Sequence, residues 1–291
     1  MQRFFVLALA LLLVVPCAGN WPYPPSKAGD TADTYFGKVY KDPYRWLEDL
    51  KSPEVDAWFK AQADLTDGVL AKIPAAEALA KEWMELDKLQ SARYTAITWE
   101  NGRVFYKKTL GGENVGKAYY RQGWNGAEKL LFDPTGYKKD VTTTIESLVP
   151  SVDGRLVAMG FSAKGAEYSE IRILDVDRGA LLPESVYPSY GPYGWTMDSK
   201  HLFYDAGKVT DIKSLDIELN RKTKLHEVGT DFSKDVDFFS NESYPEVGIQ
   251  PKEFPSVSID ESYPDILVAQ ASTVQNELRI FCAPASGLRS R

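Results

Sequence analysis

One phrase recurs along most of this chain: an alternating apolar strand, a tight Asn or Asp turn, and a second strand. Tyr94-Thr95-Ala96-Ile97-Thr98-Trp99 runs into Asn101-Gly102 and resumes as Val104-Phe105-Tyr106. Asn-Gly between alternating stretches is a strong hairpin signal, because both turn positions need positive φ. Ser151-Val152-Asp153-Gly154-Arg155 leads into Leu156-Val157-Ala158-Met159, and Trp195-Thr196-Met197-Asp198-Ser199-Lys200 leads into Leu202-Phe203-Tyr204. Ser258-Ile259-Asp260-Glu261-Ser262 leads into Ile266-Leu267-Val268-Ala269. The turn residues stand at 101, 153, 198 and 260, with gaps of 52, 45 and 62 residues. That period fits four-stranded propeller blades with loop insertions. Each unit also closes on a second hairpin, clearest at Ile171–Val176 followed by Asp177-Arg178-Gly179. A β-sandwich ranks second, since its turns would come at shorter and more regular intervals. The expected fold class is therefore mainly β with N-terminal α-helices, with an incomplete β-propeller of about four blades over residues 92–291.

The chain reads differently before residue 92. Arg3, the unbroken apolar run Phe4–Val15 and the small residues Ala18 and Gly19 form a secretory signal peptide over residues 1–19. Its apolar run, about twelve residues, is too short to span a bilayer. Lipidation at Cys17 is disfavoured by Pro16, where such a signal wants a small residue. The expected localisation is export to the periplasm or the extracellular space. Two helical starts follow, at Asp42-Pro43 and at Ser52-Pro53-Glu54, each an N-cap with Pro at the first helical position. Val55, Trp58, Phe59, Gln62, Leu65 and Val69 keep helical spacing, and Pro74 ends that helix. A third helix is expected over about 75–90, with Leu79, Ala80, Trp83, Met84 and Leu86 or Asp87 on its inner side. Faces this apolar need a partner surface.

Composition and motifs narrow the chemistry. A net charge of −7 excludes nucleic acid as a natural partner. Aromatics at 12% suit β structure and peptide or carbohydrate surfaces. A serine hydrolase needs Ser, His and Asp together, with the Ser in a G-x-S-x-G elbow. No such elbow occurs, and Gly160-Phe161-Ser162-Ala163-Lys164-Gly165 has one residue too many. Ser162 is read as a turn serine, His201 as a solvated turn histidine and His226 as a packed or hydrogen-bonded one. Cys282, in Ile280-Phe281-Cys282, is read as a buried small hydrophobe. Asp211, Asp216 and Glu218 lack the Gly and terminal Glu of a calcium loop. Gly111–Gly116 lacks the Lys-Ser/Thr ending of a phosphate loop. The aromatic run Tyr187–Trp195 is read first as a packed connection between blades and second as a binding face. No catalytic, cofactor-binding or metal-ligating residue is assigned, and no cofactor is expected.

The front of the mature chain resembles the prolyl oligopeptidase family of serine peptidases. Tyr23-Pro24, Gly37, the string Asp42-Pro43-Tyr44-Arg45-Trp46-Leu47-Glu48-Asp49, and Trp58 with Ala61-Gln62 carry the resemblance. Phe36 stands where the family commonly has His, and Ala63 where Asn is usual. His226-Glu227-Val228-Gly229-Thr230-Asp231 and Leu131-Phe132-Asp133-Pro134 are similar to phrases in the family's propeller. The resemblance implies a seven-bladed propeller, so four units and a last strand pattern at Leu278–Cys282 read as the N-terminal fragment of an exported serine peptidase. It further implies that residues 20–91 pack on an α/β-hydrolase domain missing from these residues. Short proline-containing peptides would be the substrates of the full-length enzyme, admitted through the propeller. The triad lies in that missing domain, so these residues alone are expected to be inactive. The alternatives are a secreted propeller-like module binding peptide or glycan, and a propeller hydrolase of glycans using paired carboxylates.

Overall fold

The computed structural model describes residues 21–286, so the signal-peptide reading and Cys17 lie outside the described residues. The chain divides into two compact units, one ending at Ala76 and one beginning at Glu77.

The first unit opens on a hairpin of β1 (Ala32–Tyr35) and β2 (Lys38–Lys41) that the apolar pattern did not announce. Its turn residues Phe36 and Gly37 have φ of 52° and 76°, which a two-residue hairpin turn requires. The start expected at Asp42-Pro43 yields only a short 3-10 turn over Arg45–Glu48. Asp42 binds the Tyr44 N–H and the Arg45 side chain instead of capping an α-helix. The second start is a true one. α1 (Pro53–Leu70) begins with the Ser52 hydroxyl accepting the Glu54 N–H, and it ends before Pro74. Trp46 and Trp58 meet edge-on at 6.3 Å, and Trp58 meets Phe59 at 5.2 Å. The Trp46 indole donates to the Lys27 carbonyl at 2.7 Å and the Trp58 indole to the Ser26 hydroxyl at 3.0 Å. The extended residues 24–27 thus cover part of this aromatic face, while Phe59 stays exposed.

The boundary falls at the first residue of α2 (Ala76–Leu89), whose Leu79, Trp83, Met84, Leu86 and Leu89 are exposed. Three four-stranded antiparallel meanders and one three-stranded meander follow in chain order. The first holds β3 (Ala92–Glu100), β4 (Arg103–Leu110), β5 (Lys117–Gln122) and β6 (Lys129–Phe132). The second holds β7 (Thr143–Pro150), β8 (Leu156–Ala163), β9 (Ser169–Asp175) and β10 (Ala180–Ser189). The third holds β11 (Pro192–Trp195), β12 (His201–Ala206), β13 (Lys222–Glu227) and β14 (Val236–Phe239), and the fourth β15 (Phe254–Ile259), β16 (Ile266–Ser272) and β17 (Leu278–Pro284).

Strand alternation explains the packing. On β8 and β9, Val157, Met159, Phe161 and Leu174 enter a core shared with Phe105, Ala118 and Leu131 of the first sheet. Ala158, Ile171 and Ile173, on the opposite face, enter a core shared with Trp195, Leu202 and Tyr204 of the third. A third core joins Phe203 and Phe239 to Val257, Leu267, Ala269 and Ala271. Burying each large side chain stabilises the fold by about 1.5–3 kcal/mol. Among the described residues no apolar core joins the fourth sheet to the first. The result is an incomplete propeller of four blades rather than a sandwich.

The repeated turns meet at one end of the blades. Asn101, with φ 44° ahead of Gly102 at 77°, donates its side-chain amide to the Asp153 carbonyl at 2.8 Å. The Asp153 N–H donates to the Ser199 hydroxyl at 3.0 Å. Glu261, beside Asp260, reaches the Glu100 carboxyl of the first blade, and burial followed by this neighbour pushes Glu100 up to about 8.

Candidate functional site

Antiparallel order places the β8–β9 turn, the β10–β11 connection and the β12–β13 loop at the opposite end from those repeated turns. There they build a corner of charge and tyrosine. Arg221, just before β13, is 1% exposed. Its Nε donates to Asp205 Oδ1 at 3.2 Å, Nη2 donates to Asp205 Oδ2, and Nη1 donates to the Ile217 carbonyl at 3.2 Å. Asp205, fully buried on β12, also accepts the Tyr190 N–H at 2.8 Å. A Cβ at Gly207 would stand 2.6 Å from Arg221 Nη1, so the chain passes the guanidinium with no side chain.

Aromatic rings cover this pair. The guanidinium lies 4.8 Å from the Tyr190 ring and 5.8 Å from the Tyr168 ring, and the two rings stack at 5.2 Å. Both hydroxyls donate to Glu218, that of Tyr190 at 2.5 Å. Burial raises the Glu218 carboxyl above its ordinary range, Glu167 adds to the rise, and Arg221 opposes it. Burial also raises the Tyr190 and Tyr193 hydroxyls, with Asp205 adding to the latter. Each of the three Arg221 guanidinium nitrogens is engaged in these bonds, and Asp205 neutralises the charge. What the corner offers a ligand is two tyrosine faces over a neutralised charge, a surface that can pack on a small apolar ring or peptide segment.

The aromatic run 187–195 therefore divides. Trp195 is packed, donating its indole N–H to the Val149 carbonyl at 2.9 Å, while Tyr187 and Tyr190 reach the surface. Of the three acidic residues weighed for calcium, Glu218 is committed to the two tyrosines, and Asp211 accepts the Lys213 N–H at 3.0 Å. The Gly111–Gly116 segment links β4 to β5, with Glu113 accepting the Leu110 N–H and pairing with Lys117 at 2.8 Å.

The residues weighed as hydrolytic groups are occupied elsewhere. Ser162 is not in the turn but near the end of β8, 1% exposed, with its hydroxyl donating to the Ala166 carbonyl at 2.5 Å. His201 opens β12 half-buried, its Nδ1 3.9 Å from Asp198. His226 is fully buried, with Nδ1 2.9 Å from Asp235 Oδ1. Cys282 corrects the sequence reading. It is exposed, because β17 is the edge strand of a three-stranded sheet and none of the described residues covers that position. Sequence reasoning passed over Asp205, Arg221 and Tyr168. The available signal was a lone charge inside the apolar run Leu202-Phe203-Tyr204-Asp205-Ala206, where burial demands a partner.

Comparison with known proteins places these blades. The profile of a family described as the N-terminal β-propeller domain of prolyl oligopeptidase matches residues 24–287. The chain belongs to that family. Among its relatives, prolyl endopeptidase from Elizabethkingia meningoseptica is 28% identical over 226 residues, covering 77% of this chain and 32% of the relative. Dipeptidyl aminopeptidase BI from Pseudoxanthomonas mexicana is 26% identical over 310 residues, covering 97% of this chain and 40% of the relative. A solved prolyl endopeptidase structure superposes with a TM-score of 0.75 at 28% identity, over 90% of this chain and 38% of that one. The chain thus spans about a third of the length of the prolyl oligopeptidase relatives it matches.

Proposed function

We propose that these residues are the N-terminal portion of an exported prolyl oligopeptidase-like serine peptidase. In this reading the blades gate the access of short proline-containing peptides to a catalytic α/β-hydrolase domain. The tryptophan-bearing segment within residues 20–91 docks on that domain, and residues 92–291 supply the propeller. The observation that carries the proposal is the family match over 24–287 on a chain whose sheets superpose on a prolyl endopeptidase at a TM-score of 0.75. The apolar run Phe4–Val15 behind Arg3 supports export.

The described residues by themselves do not hydrolyse peptides in this proposal. Acyl transfer needs a serine hydroxyl within reach of an imidazole that can take its proton. The Ser162 hydroxyl is engaged by Ala166, and His226 is engaged by Asp235. The test is incubation of the purified chain with a proline-linked chromogenic peptide. No release above the blank is expected, and turnover that survives repurification overturns the proposal. Export is tested separately, by expressing the gene with its own leader and sequencing the N-terminus of the secreted protein. A start near residue 20 is expected, and an uncleaved cytosolic product overturns it.

A further inference from the structure

His226 lies inside the seam between the second and third blades, with no exposed surface. Its ring lies flat on Phe232, 3.7 Å between centroids and 6° from parallel. Nδ1 is 2.9 Å from Asp235 Oδ1. Nε2 has no hydrogen-bond partner and stands 4.0 Å from Oε1 of Glu184, which reaches in from β10 on the other blade. The same Oε1 accepts the Gly229 N–H at 3.0 Å. Both carboxylates are nearly sealed from solvent, at 1% and 4% side-chain exposure.

A neutral imidazole carries one N–H. With that hydrogen on Nδ1, Asp235 is served and the Nε2 lone pair faces a carboxylate oxygen. With it on Nε2, a lone pair faces Asp235 at hydrogen-bond distance. Either tautomer leaves two acceptors opposed at full burial, which is costly. A second proton resolves the conflict. Both ring nitrogens then donate, the charge lies between two carboxylates, and the cation rests on an aromatic face. The present 4.0 Å is too long for a hydrogen bond, so the new bond draws β10 toward β13 by about 1 Å.

We propose that His226 is a proton-operated clasp between the second and third blades, joining Asp235 to Glu184 when it takes up a second proton and releasing Glu184 when it loses it. The titratable groups facing it are Glu184 from β10, Tyr204 from β12, Asp235 just before β14, and Asp231 beside Phe232. His201 and Lys234 border the groove that leads to Asp235. Tyr204 keeps its proton throughout, its hydroxyl raised by burial and by Asp235.

Two measurements on the full chain test this. In the first, denaturant unfolding compares wild type with Glu184→Gln and His226→Gln at about pH 5.5 and about pH 8, on either side of an ordinary histidine. The unfolding constant of wild type relative to each variant is expected to fall by about tenfold from the higher pH to the lower. A wild-type-to-variant ratio that is the same at both pH values overturns the proposal. The second measurement needs no variant at the seam. Nitrogen-15 spectra of the two histidine rings, assigned with His201→Gln, should show both His226 nitrogens protonated at the lower pH and one at the higher. A folded chain with a single protonated nitrogen at both pH values also overturns it.

Discussion

Arg221 and Asp205 face each other with no exposed side-chain surface, the guanidinium engaging both carboxylate oxygens beneath the rings of Tyr168 and Tyr190. A pair buried this deeply gains stability only because each charge completes the other. Arg221→Met leaves the Asp205 carboxylate buried without its counter-charge and is expected to cost about 3–5 kcal/mol. The double variant Arg221→Met/Asp205→Leu should recover most of that loss. Urea unfolding of the three proteins checks the ranking, and a single variant within 1 kcal/mol of wild type would refute it.

The contact between the first and fourth blades gives a pH dependence of definite sign. Glu100 is raised from an ordinary 4.5 to about 8, chiefly by burial and then by Glu261. A carboxyl raised on folding contributes its full stability below the unfolded value and loses it as pH rises through the folded one. Stability from this pair therefore declines between pH 4.5 and about 8. Glu261→Gln removes the opposing charge. It should raise stability at pH 8 by roughly 1 kcal/mol, the part-exposed setting screening the effect, and change little near pH 4. Melting curves at the two pH values decide it, and a gain at pH 4 equal to that at pH 8 would count against the pairing.

Asn101 combines a left-handed backbone, φ 44°, with a side-chain bond to the next blade. Asn101→Gly keeps the backbone and loses the bond, at about 0.5–1.5 kcal/mol. Asn101→Val loses both and adds strain of about 1–3 kcal/mol. Thermal melts should rank wild type above Gly and Gly above Val, and equal melting of the two variants would contradict the geometry.

Cys282 should react with a thiol reagent in the native state. In a Cys17→Ser background one equivalent is expected to label at the rate of a free thiol, without denaturant. Labelling that waits for unfolding would mean that β17 is covered in solution.

Much of the blade architecture was legible because two of the repeated turns carry a Gly at a left-handed position, at Asn101-Gly102 and Asp153-Gly154, and the others repeat the Asp and Ser of the same phrase. The α1 start was equally clear, since Ser52 and Pro53 leave little alternative for the first turn. Asp42-Pro43 carries the same signal but not the same outcome, because Asp42 is drawn to Arg45, which also pairs with Asp33 on β1. The tyrosine corner was half visible: the run 187–195 marked it, whereas Arg221 lies about thirty residues further on and reaches Tyr190 only through the β12–β13 register. Cys282 was misread because apolar neighbours in sequence do not reveal an edge strand.

The three apolar cores each draw on two successive sheets, so no blade owns the interior that stabilises it. Excising one internal blade would bare two neighbours at once, whereas a loop inserted at a repeated turn leaves every interior intact. The seams are therefore the cooperative elements, and an engineered cut, fusion or permutation of this scaffold should be placed to spare them.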